Sequence, residues 1–396
     1  MIFQMRRTLM TPEQKNRFLQ KLGNDVSEKL WDLLIMHLTG VEDKISTSKS
    51  EDPALRARLL EILEKAVVEI KAGVSHFNNL QYWRFLILTC NHILRYDPKR
   101  KDLKDLKKTI IEAYTASDPD NSFLIPLDYQ INEVRITYDT SYLTFLIQKL
   151  IRISEWAKAL YCLHTVRLIE PDNPNLDSWD AEVRKHLIKA EPAEASFEEP
   201  KGMLLLLDAN IALSKIQRDV GGYKINPLEA YNTEKLGNNN KFGITPTTAA
   251  EVEAHLEYEL SFHKKNIEKN NLRFDFKEIE RTLKKRRDDM INRYGVKIEV
   301  KEADIEPVKE FYRKYTLALE TITLEKLEKK SISKKLRKLS QRECFLPEEG
   351  DMKLLTEAIT LQKSGQKVGI ITKDKDFTEF GKAINEKFEI KIITNQ

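Results

Sequence analysis

Acidic side chains follow two apolar runs of the sequence and stand in the first turns of two helix-like segments. Asp208 ends the run LLLLD, Asp374 and Asp376 follow KVGIIT, Glu251 lies in ITPTTAAE, and Asp351 opens DMKLLTEAITL. Carboxylates that lie close together repel each other, and a hard divalent cation such as Mg²⁺ or Mn²⁺ removes that cost. Such cations generate hydroxide near neutral pH and stabilise the oxygens of a phosphoryl displacement. The acids therefore predict metal-assisted phosphodiester hydrolysis, provided that the fold gathers them.

Each acid also has a purely structural explanation. Asp208 can be a turn residue, and Thr248-x-x-Glu251 matches a capping box. The helix dipole favours Asp351 at a helix start, and the acids after KVGIIT can cap the helix that follows them. The common location of all five, at strand ends and helix starts, favours a shared site.

The elements that would position these acids are short strands that alternate with helices. The runs MLLLLD, FGIT, VKIEV, KVGIIT and EIKIIT predict strands, and the charged amphipathic segments between them predict helices. This alternation is typical of a parallel sheet covered by helices on both faces. The carboxyl ends of such strands share one edge, where functional crevices form.

The C-terminal half resembles the PIN-domain nuclease family through four elements that occur in the family's order. These elements are LLLLDAN, ITPTTAAEV, GDMKLLTEA and IITKDKDF. The resemblance implies a three-layer α/β PIN-like domain with a mainly parallel central sheet. It implies that the catalytic, metal-binding acids are Asp208, Glu251, Asp351 and Asp374. Asp376 would be a fifth, more variable metal ligand.

The same resemblance implies that Asn210 and Thr372 orient the carboxylates by hydrogen bonds. The implied function is that of an endoribonuclease, a hydrolase that uses Mg²⁺ or Mn²⁺ to cut RNA and leaves a 5′-phosphate and a 3′-hydroxyl. Two alternatives stay open: a catalytically inactive PIN-like module that binds RNA or protein, and a structure-specific DNA nuclease. The biological role, as a toxin of a toxin–antitoxin pair, in defence or in RNA processing, also stays open.

Two basic runs lie in a segment, about 256–342, that is longer and more charged than a minimal PIN domain needs. Residues 201–396 carry 38 Lys and Arg against 32 Asp and Glu. The runs are either solvated helix faces or a rim that binds RNA phosphates. The residues that would make such contacts are Lys284, Lys285, Arg286, Arg287, Lys334, Lys335, Arg337 and Lys338. Aromatic residues are sparse within these runs, so the runs themselves predict no platform for stacking bases.

Residues 1–188 predict an all-α domain, because amphipathic helix patterns recur there without a convincing strand pattern. EWAKALYCLHTVRLIEPDNPN resembles the second helix of a tetratricopeptide repeat, with Ala159 at the position for a small residue and Pro171 after the helix. A repeat array would bind a protein partner on its concave face. The 73 residues from Pro98 to Pro171 do not fit the usual period of about 34 residues, so a helical bundle stays open.

The segment 189–201, rich in Pro, Ala and Glu, predicts a linker, which places a PIN-like domain at 202–396. The three cysteines form no CxxC pair, which argues against a disulfide framework or a zinc site and favours a reducing cytoplasm. No apolar run approaches the roughly 20 residues of a membrane span, and no signal peptide is recognisable. We therefore expect a cytoplasmic protein without a membrane partner. A monomer and a homodimer both stay open.

Overall fold

The structure, a computed structural model, describes residues 12–45, 53–74, 80–117, 127–188, 190, 200–217, 219–223, 236, 239–340 and 342–394. The chain divides into two compact units. Unit 1 lies within Met1–His186 and Lys330–Gln341, and unit 2 lies within Leu187–Lys329 and Arg342–Gln396. The predicted linker at 189–201 lies outside the described residues, apart from residues 190, 200 and 201.

The described residues of unit 1 form helices and no strand, in agreement with the all-α prediction. In chain order the first nine helices are α1 (Pro12–Ser27), α2 (Trp31–Ile45), α3 (Pro53–Val74), α4 (Leu80–Tyr96), α5 (Lys101–Ser117), α6 (Leu127–Thr137), α7 (Ser141–Arg152), α8 (Trp156–Ile169) and α9 (Leu176–His186). Helix α8 packs against both α7 and α9, and its Ala159 and Leu163 are fully buried. Burying a leucine side chain in this way contributes about 1.5–3 kcal/mol to stability.

Unit 1 also encloses charged side chains that neutralise each other. Lys107 of α5 forms an ion pair with Asp139, and both side chains are almost completely buried. Arg95 of α4 forms a second ion pair with Glu133 of α6. A buried charge is tolerated only when it is paired, so these contacts hold α5 against the connection between α6 and α7, and α4 against α6.

The rest of the chain alternates between strands and helices. Its elements in chain order are β1 (Leu204–Leu207), α10 (Ala209–Ile216), β2 (Lys241–Gly243), α11 (Pro246–Lys269), α12 (Phe276–Tyr294), a 3₁₀ turn (Glu302–Ile305), α13 (Glu306–Arg313), α14 (Thr316–Leu327), α15 (Ile332–Leu339), α16 (Glu349–Lys363), β3 (Val368–Ile371), α17 (Lys375–Thr378), α18 (Gly381–Phe388) and β4 (Lys391–Ile393). None of the helices in the described part of the chain is both long and apolar enough to cross a membrane.

The four strands of unit 2 form one parallel sheet in the order β2-β1-β3-β4. Leu207, the last residue of β1, pairs with Ile371, the last residue of β3. Both central strands therefore end at the same level, and the residues that follow them emerge side by side. One of the five predicted strands, 296–300, does not form: the structure has only a bridge between Ile244 and Gly295 there.

The core of unit 2 lies between β1 and the helices that follow it. Leu205 and Leu207 of β1 are buried with Val252 and Leu256 of α11 and Leu283 of α12. The alternate residue, Leu206, is also fully buried, as expected for a parallel strand that is covered on both faces. This packing fixes the height of α11 relative to the sheet edge.

Helix α15 belongs to unit 1, although its sequence lies between elements of unit 2. It packs against α6 and α8, its Leu336 and Leu339 are buried, and the Tyr161 hydroxyl donates a hydrogen bond to the Leu339 carbonyl. Because this segment follows the predicted linker, its place in the sequence predicts that it belongs to the C-terminal domain. The structure assigns residues 330–341 to the helical unit instead.

Candidate functional site

Asp208 and Thr372 join the ends of the two central strands. Asp208 directly follows β1 and is 4% exposed, and Thr372 directly follows β3 and is fully buried. The Thr372 hydroxyl donates a hydrogen bond of 2.7 Å to Asp208 Oδ2 and accepts one of 2.9 Å from the Asp374 backbone N–H. Burial raises the pKa of Asp208, the hydrogen bond from Thr372 offsets part of that rise, and repulsion from Asp374 adds to it.

Asp374 and Asp376 carry the negative charge at the end of β3, and two cations face them. Lys326 Nζ lies 2.6 Å from Asp374 Oδ1 and 3.0 Å from Asp376 Oδ2, which also accepts a 3.1 Å hydrogen bond from Arg342. Burial by itself would raise the pKa of Asp374, but the charge and hydrogen bond of Lys326 outweigh it and lower that pKa. Asp374 also caps α17 by accepting from the Asp376 N–H at 3.0 Å.

Asp351, in the first turn of α16, completes a cluster of carboxylates. One oxygen each of Asp351, Asp374 and Asp376 lie within 4.8 Å of one another. Burial raises the pKa of Asp351 well above its usual range, and repulsion from Asp374 and Asp376 adds to the effect. Asp376 is fully buried, and its Oδ1 has no hydrogen-bond partner among the described residues.

Glu251 of α11 faces the same cluster. Burial and the neighbouring charge of Asp208 raise its pKa to about 7. The structure overturns the capping-box explanation of this residue: Thr245 caps α11, and its hydroxyl accepts from the Thr248 N–H at 3.2 Å. Glu251 therefore lies in the second turn of the helix, where no cap needs a carboxylate.

Gly350 of α16 makes room for the Glu251 carboxylate. A Cβ atom at residue 350 would come within 1.6 Å of Glu251 Oε1. The GDMKLL element therefore needs glycine at its first position because the Glu251 carboxylate of α11 occupies the space that a side chain would fill. The backbone conformation of residue 350 does not itself require glycine.

The side chain of Asn210 does not take the orienting role expected for it. Asn210 is exposed, and no hydrogen bond of its side chain occurs within the described part of the chain. The backbone N–H groups of Ala209 and Asn210 offset a small part of the rise in the pKa of Asp208. Asp208 accepts no capping hydrogen bond at the start of α10, so Thr372 is the residue that orients its carboxylate.

The eight basic residues proposed to bind phosphates are divided between the two units, and part of their charge is already neutralised. Lys284 pairs with Glu280 at 2.6 Å, Arg287 pairs with Asp288 at 2.7 Å, and Arg286 donates to the Ile216 carbonyl at 3.2 Å. Lys285 is exposed on α12. The other four residues, Lys334, Lys335, Arg337 and Lys338, lie on α15 in unit 1, whereas the acids lie in unit 2.

Sequence analysis did not identify the cations of the site, Lys326 and Arg342. Their ion pairs with Asp376 span 50 and 34 residues of sequence, so no local spacing signals them. In the sequence Lys326 lies close to several other lysines, so its charge resembles that of an ordinary solvated surface. Glu357, which accepts from the Thr247 hydroxyl at 2.9 Å and links α16 to α11, was missed for the same reason.

Comparison of the chain with protein-family models, with curated proteins and with solved structures finds no match. The resemblance to the PIN-domain family therefore stays a prediction that depends on the four sequence elements.

Proposed function

We propose that the protein is a metal-dependent ribonuclease whose active site is the acid cluster of unit 2. One observation carries the proposal: carboxylates from two separate parts of the sequence meet beside the end of β3, with one oxygen each of Asp351, Asp374 and Asp376 within 4.8 Å of one another. Asp208 and Glu251 belong to the same cluster electrostatically, because each contributes to raising the pKa of Asp351. Carboxylates are rarely concentrated in this way unless a cation neutralises them.

The residues present fit a hard divalent cation. All the side-chain ligands are oxygens, which Mg²⁺ and Mn²⁺ prefer, and Asp376 Oδ1 is buried without a hydrogen-bond partner among the described residues. Asp208, Asp351 and Asp374 would hold the ion together with Glu251, and Asp376 would contribute through Oδ1. A bound cation would supply Lewis acidity that stabilises the oxygens that gain charge during phosphodiester hydrolysis.

The chain's own side chains would do the remaining work. Thr372 holds Asp208 in place, so the carboxylate would not need to reorient when substrate arrives. Lys326 is 30% exposed, so its ammonium could reach a substrate phosphate, whereas Arg342 is almost completely buried and holds Asp376. Lys326 would thus contribute positive charge beside the scissile phosphate.

The double replacement Asp208→Asn/Asp374→Asn tests this function. We expect the wild-type protein to cleave RNA when Mn²⁺ is added and to leave 5′-phosphate ends, and we expect the double variant to lose that cleavage while keeping its fold. Asparagine keeps the size of each side chain and can still cap α17. Cleavage by the double variant at the wild-type rate would show that these acids are not the active site.

A non-catalytic binding module is the second candidate, and the position of Lys326 favours it. An ammonium at 2.6 Å from Asp374 and 3.0 Å from Asp376 neutralises the cluster without any metal. Calorimetric titration with Mn²⁺ separates the two candidates: binding supports the nuclease, and no binding supports the module. Parallel cleavage assays on labelled RNA and DNA then identify the substrate. Cleavage of DNA alone would show that the protein is a DNA nuclease.

We also propose a reducing location, the cytoplasm. None of the three cysteines forms a disulfide bond, and Cys90 and Cys162 are buried. Burial raises the pKa of the Cys90 thiol to about 12, so this thiol stays protonated and unreactive.

The helical unit would bind a protein partner, which is the use that its tetratricopeptide resemblance implies.

A further inference from the structure

Helix α11 presents a line of side chains that begins at the acid cluster and continues along an exposed face. The line consists of Glu251, His255, Tyr258, Phe262 and Lys265, at intervals of four, three, four and three residues. At 3.6 residues per turn these positions fall within about 40° of one direction around the helix axis. Lys269 continues the same line at the end of the helix. We call the exposed part, from His255 to Lys269, the aromatic face of α11.

In the part of the chain that the structure describes, most of the aromatic face is exposed, although the Phe262 ring meets the edge of the neighbouring His263 ring at a centroid distance of 5.7 Å. Tyr258 is 70% exposed and Phe262 is 56% exposed. The core-facing side of α11 is already complete, because Val252, Leu256 and Leu260 are buried against the sheet and its neighbouring helices. A single exposed aromatic ring is ordinary, but two rings one turn apart and in line with a carboxylate of the acid cluster need a different explanation.

Two of the three lysines of α11, but only one of its five glutamates, Glu251, lie along this line. Lys265 and Lys269 lie on the aromatic face and are exposed. The other four glutamates, Glu253, Glu257, Glu259 and Glu268, lie off that line; Glu253 faces Arg287 at 3.4 Å, and Glu259 faces His263 at 3.6 Å. Beyond Glu251, the face therefore offers rings and cations but no carboxylate.

We propose that the aromatic face of α11 binds the unpaired bases of single-stranded RNA next to the cleavage site. Every base has a flat face that stacks on an aromatic ring, and such stacking tolerates any sequence. Bases within a duplex are already stacked on each other and cannot use the rings. The two lysines meet the phosphates at the far end. This inference depends on the proposed function, because the acid cluster defines where the strand is cut.

Helix geometry sets the length of RNA that uses the face. Tyr258 lies about 10 Å and Phe262 about 16 Å along the axis from Glu251. At about 3.4 Å per nucleotide of a stacked strand, the rings meet bases roughly three to five nucleotides from the cut. Short substrates that end before that point gain nothing from the face.

Binding is tested in the cleavage-deficient Asp208→Asn/Asp374→Asn background, so that the RNA stays intact. We expect Tyr258→Ala/Phe262→Ala to weaken binding of a labelled single strand of about 12 nucleotides by at least tenfold in fluorescence anisotropy. Binding of the same sequence as a duplex should not change. Glu257→Ala, an exposed neighbour off the face, is the matched control and should bind like its parent. Circular dichroism checks that each variant is folded.

A direct signal comes from Tyr258→Trp in the same background. We expect this variant to retain binding and its added tryptophan fluorescence to be quenched by single-stranded RNA, because stacking brings the indole against a base. The proposal is overturned if Tyr258→Ala/Phe262→Ala binds single strands as tightly as its parent. It is also overturned if the wild-type protein is a dimer that this pair of changes dissociates, since the face is then an interface between two copies.

Cleavage kinetics separate this proposal from the proposed function. In the protein with its acids intact, Tyr258→Ala/Phe262→Ala should raise KM for long single strands at least tenfold and leave trinucleotide cleavage unchanged. If the wild type cleaves RNA but the variant shows no such dependence on length, the face proposal alone fails. If the wild type cleaves no RNA under any metal condition, the proposed function fails, and the face proposal fails with it.

Discussion

Gly350 and Glu251 lie so close together that residue 350 cannot carry a side chain while the Glu251 carboxylate stays where it is. A Cβ atom on residue 350 would come within 1.6 Å of Glu251 Oε1. The carboxylate is the mobile end of a long side chain, so it would move aside and the backbone of α16 would stay in place. The position of the Glu251 carboxylate thus depends on residue 350 of α16 being a glycine.

Gly350→Ala should therefore damage the site without damaging the fold. Displacing a reacting group by about 1 Å costs roughly 100-fold in rate, so we expect a loss of that order in Mn²⁺-dependent cleavage. The free energy of unfolding should change by less than about 1 kcal/mol, because alanine favours a helix more than glycine does. Cleavage rate and denaturant unfolding, measured on the same sample, check both parts.

The control for this change is Gly23→Ala in α1. A Cβ atom there would meet no heavy atom within 4 Å. We expect Gly23→Ala to leave cleavage unchanged and to keep or slightly raise stability. Wild-type activity in Gly350→Ala would show that the carboxylate of Glu251 takes no part in the reaction.

Thr372→Val should weaken metal binding. Valine keeps the shape of the side chain but removes the hydrogen bond to Asp208 and the acceptor for the Asp374 N–H. Residues that orient metal ligands typically account for about 10–100-fold in metal affinity, and we expect a loss in that range for Mn²⁺ measured by calorimetry. Thr372→Ser keeps the hydroxyl and should bind Mn²⁺ almost as the wild type does. Equal affinities for the valine and serine variants would contradict the orienting role.

Lys326→Met should raise the affinity of the site for Mn²⁺ and lower the stability of the metal-free protein. Without the ammonium, the repulsion among Asp351, Asp374 and Asp376 is less compensated, so a divalent cation gains more by binding. We expect a Kd for Mn²⁺ about tenfold lower than in the wild type, which corresponds to about 1.4 kcal/mol. The melting temperature should fall without metal and recover when Mn²⁺ is added.

Lys284→Met provides the comparison for Lys326→Met. Lys284 pairs with Glu280 one turn away on a half-exposed helix surface. Pairs of this kind contribute only about 0.3–0.5 kcal/mol, so neither the melting temperature nor the Mn²⁺ affinity should change measurably. If Lys326→Met behaves like Lys284→Met, its ammonium does not compensate the cluster.

The burial of His92 predicts that unit 1 loses stability as the pH falls below 6.5. Burial lowers the pKa of this histidine from 6.5 to about 3, so the folded state holds it neutral while the unfolded state takes up a proton below pH 6.5. The stabilisation is fully present above pH 6.5 and is lost as the pH falls towards 3. The slope is at most about 1.4 kcal/mol per pH unit.

Denaturant titrations between about pH 7 and pH 4 on the wild type and His92→Gln measure this effect. We expect the difference in free energy of unfolding between the two proteins to shrink as the pH falls, because only the wild type carries the buried imidazole. Parallel curves for the two proteins would show that His92 does not titrate on unfolding.

The sheet and the acids beside it follow from local sequence patterns. Short apolar runs that end in a polar residue indicate buried parallel strands, and β1 and β3 lie where the runs before Asp208 and Asp374 are found. The alternating segment 296–300 misled the prediction, because alternation indicates a strand only when a neighbouring strand offers hydrogen bonds. There the sheet offers only the bridge at Gly295.

The cations of the site and the position of α15 could not be predicted in this way. Lys326 reaches Asp374 across 48 residues, and its charge is indistinguishable in sequence from its basic neighbours. Helix α15 packs on helices that precede it by more than 160 residues, and its apolar residues do not reveal which core they join. The aromatic face of α11 lies outside the basic runs, so the composition of those runs gives no sign of it.

The chain passes between the two units three times: after His186, after Lys329 and after Gln341. Gene fission at the linker would therefore not yield two self-sufficient proteins. The first fragment would lack the helix that covers Tyr161, and the second would carry Leu336 and Leu339 with no partner to bury them. Separation at the linker would thus remove one helix from the core that buries it, and we expect neither fragment to fold alone as it does in the intact chain.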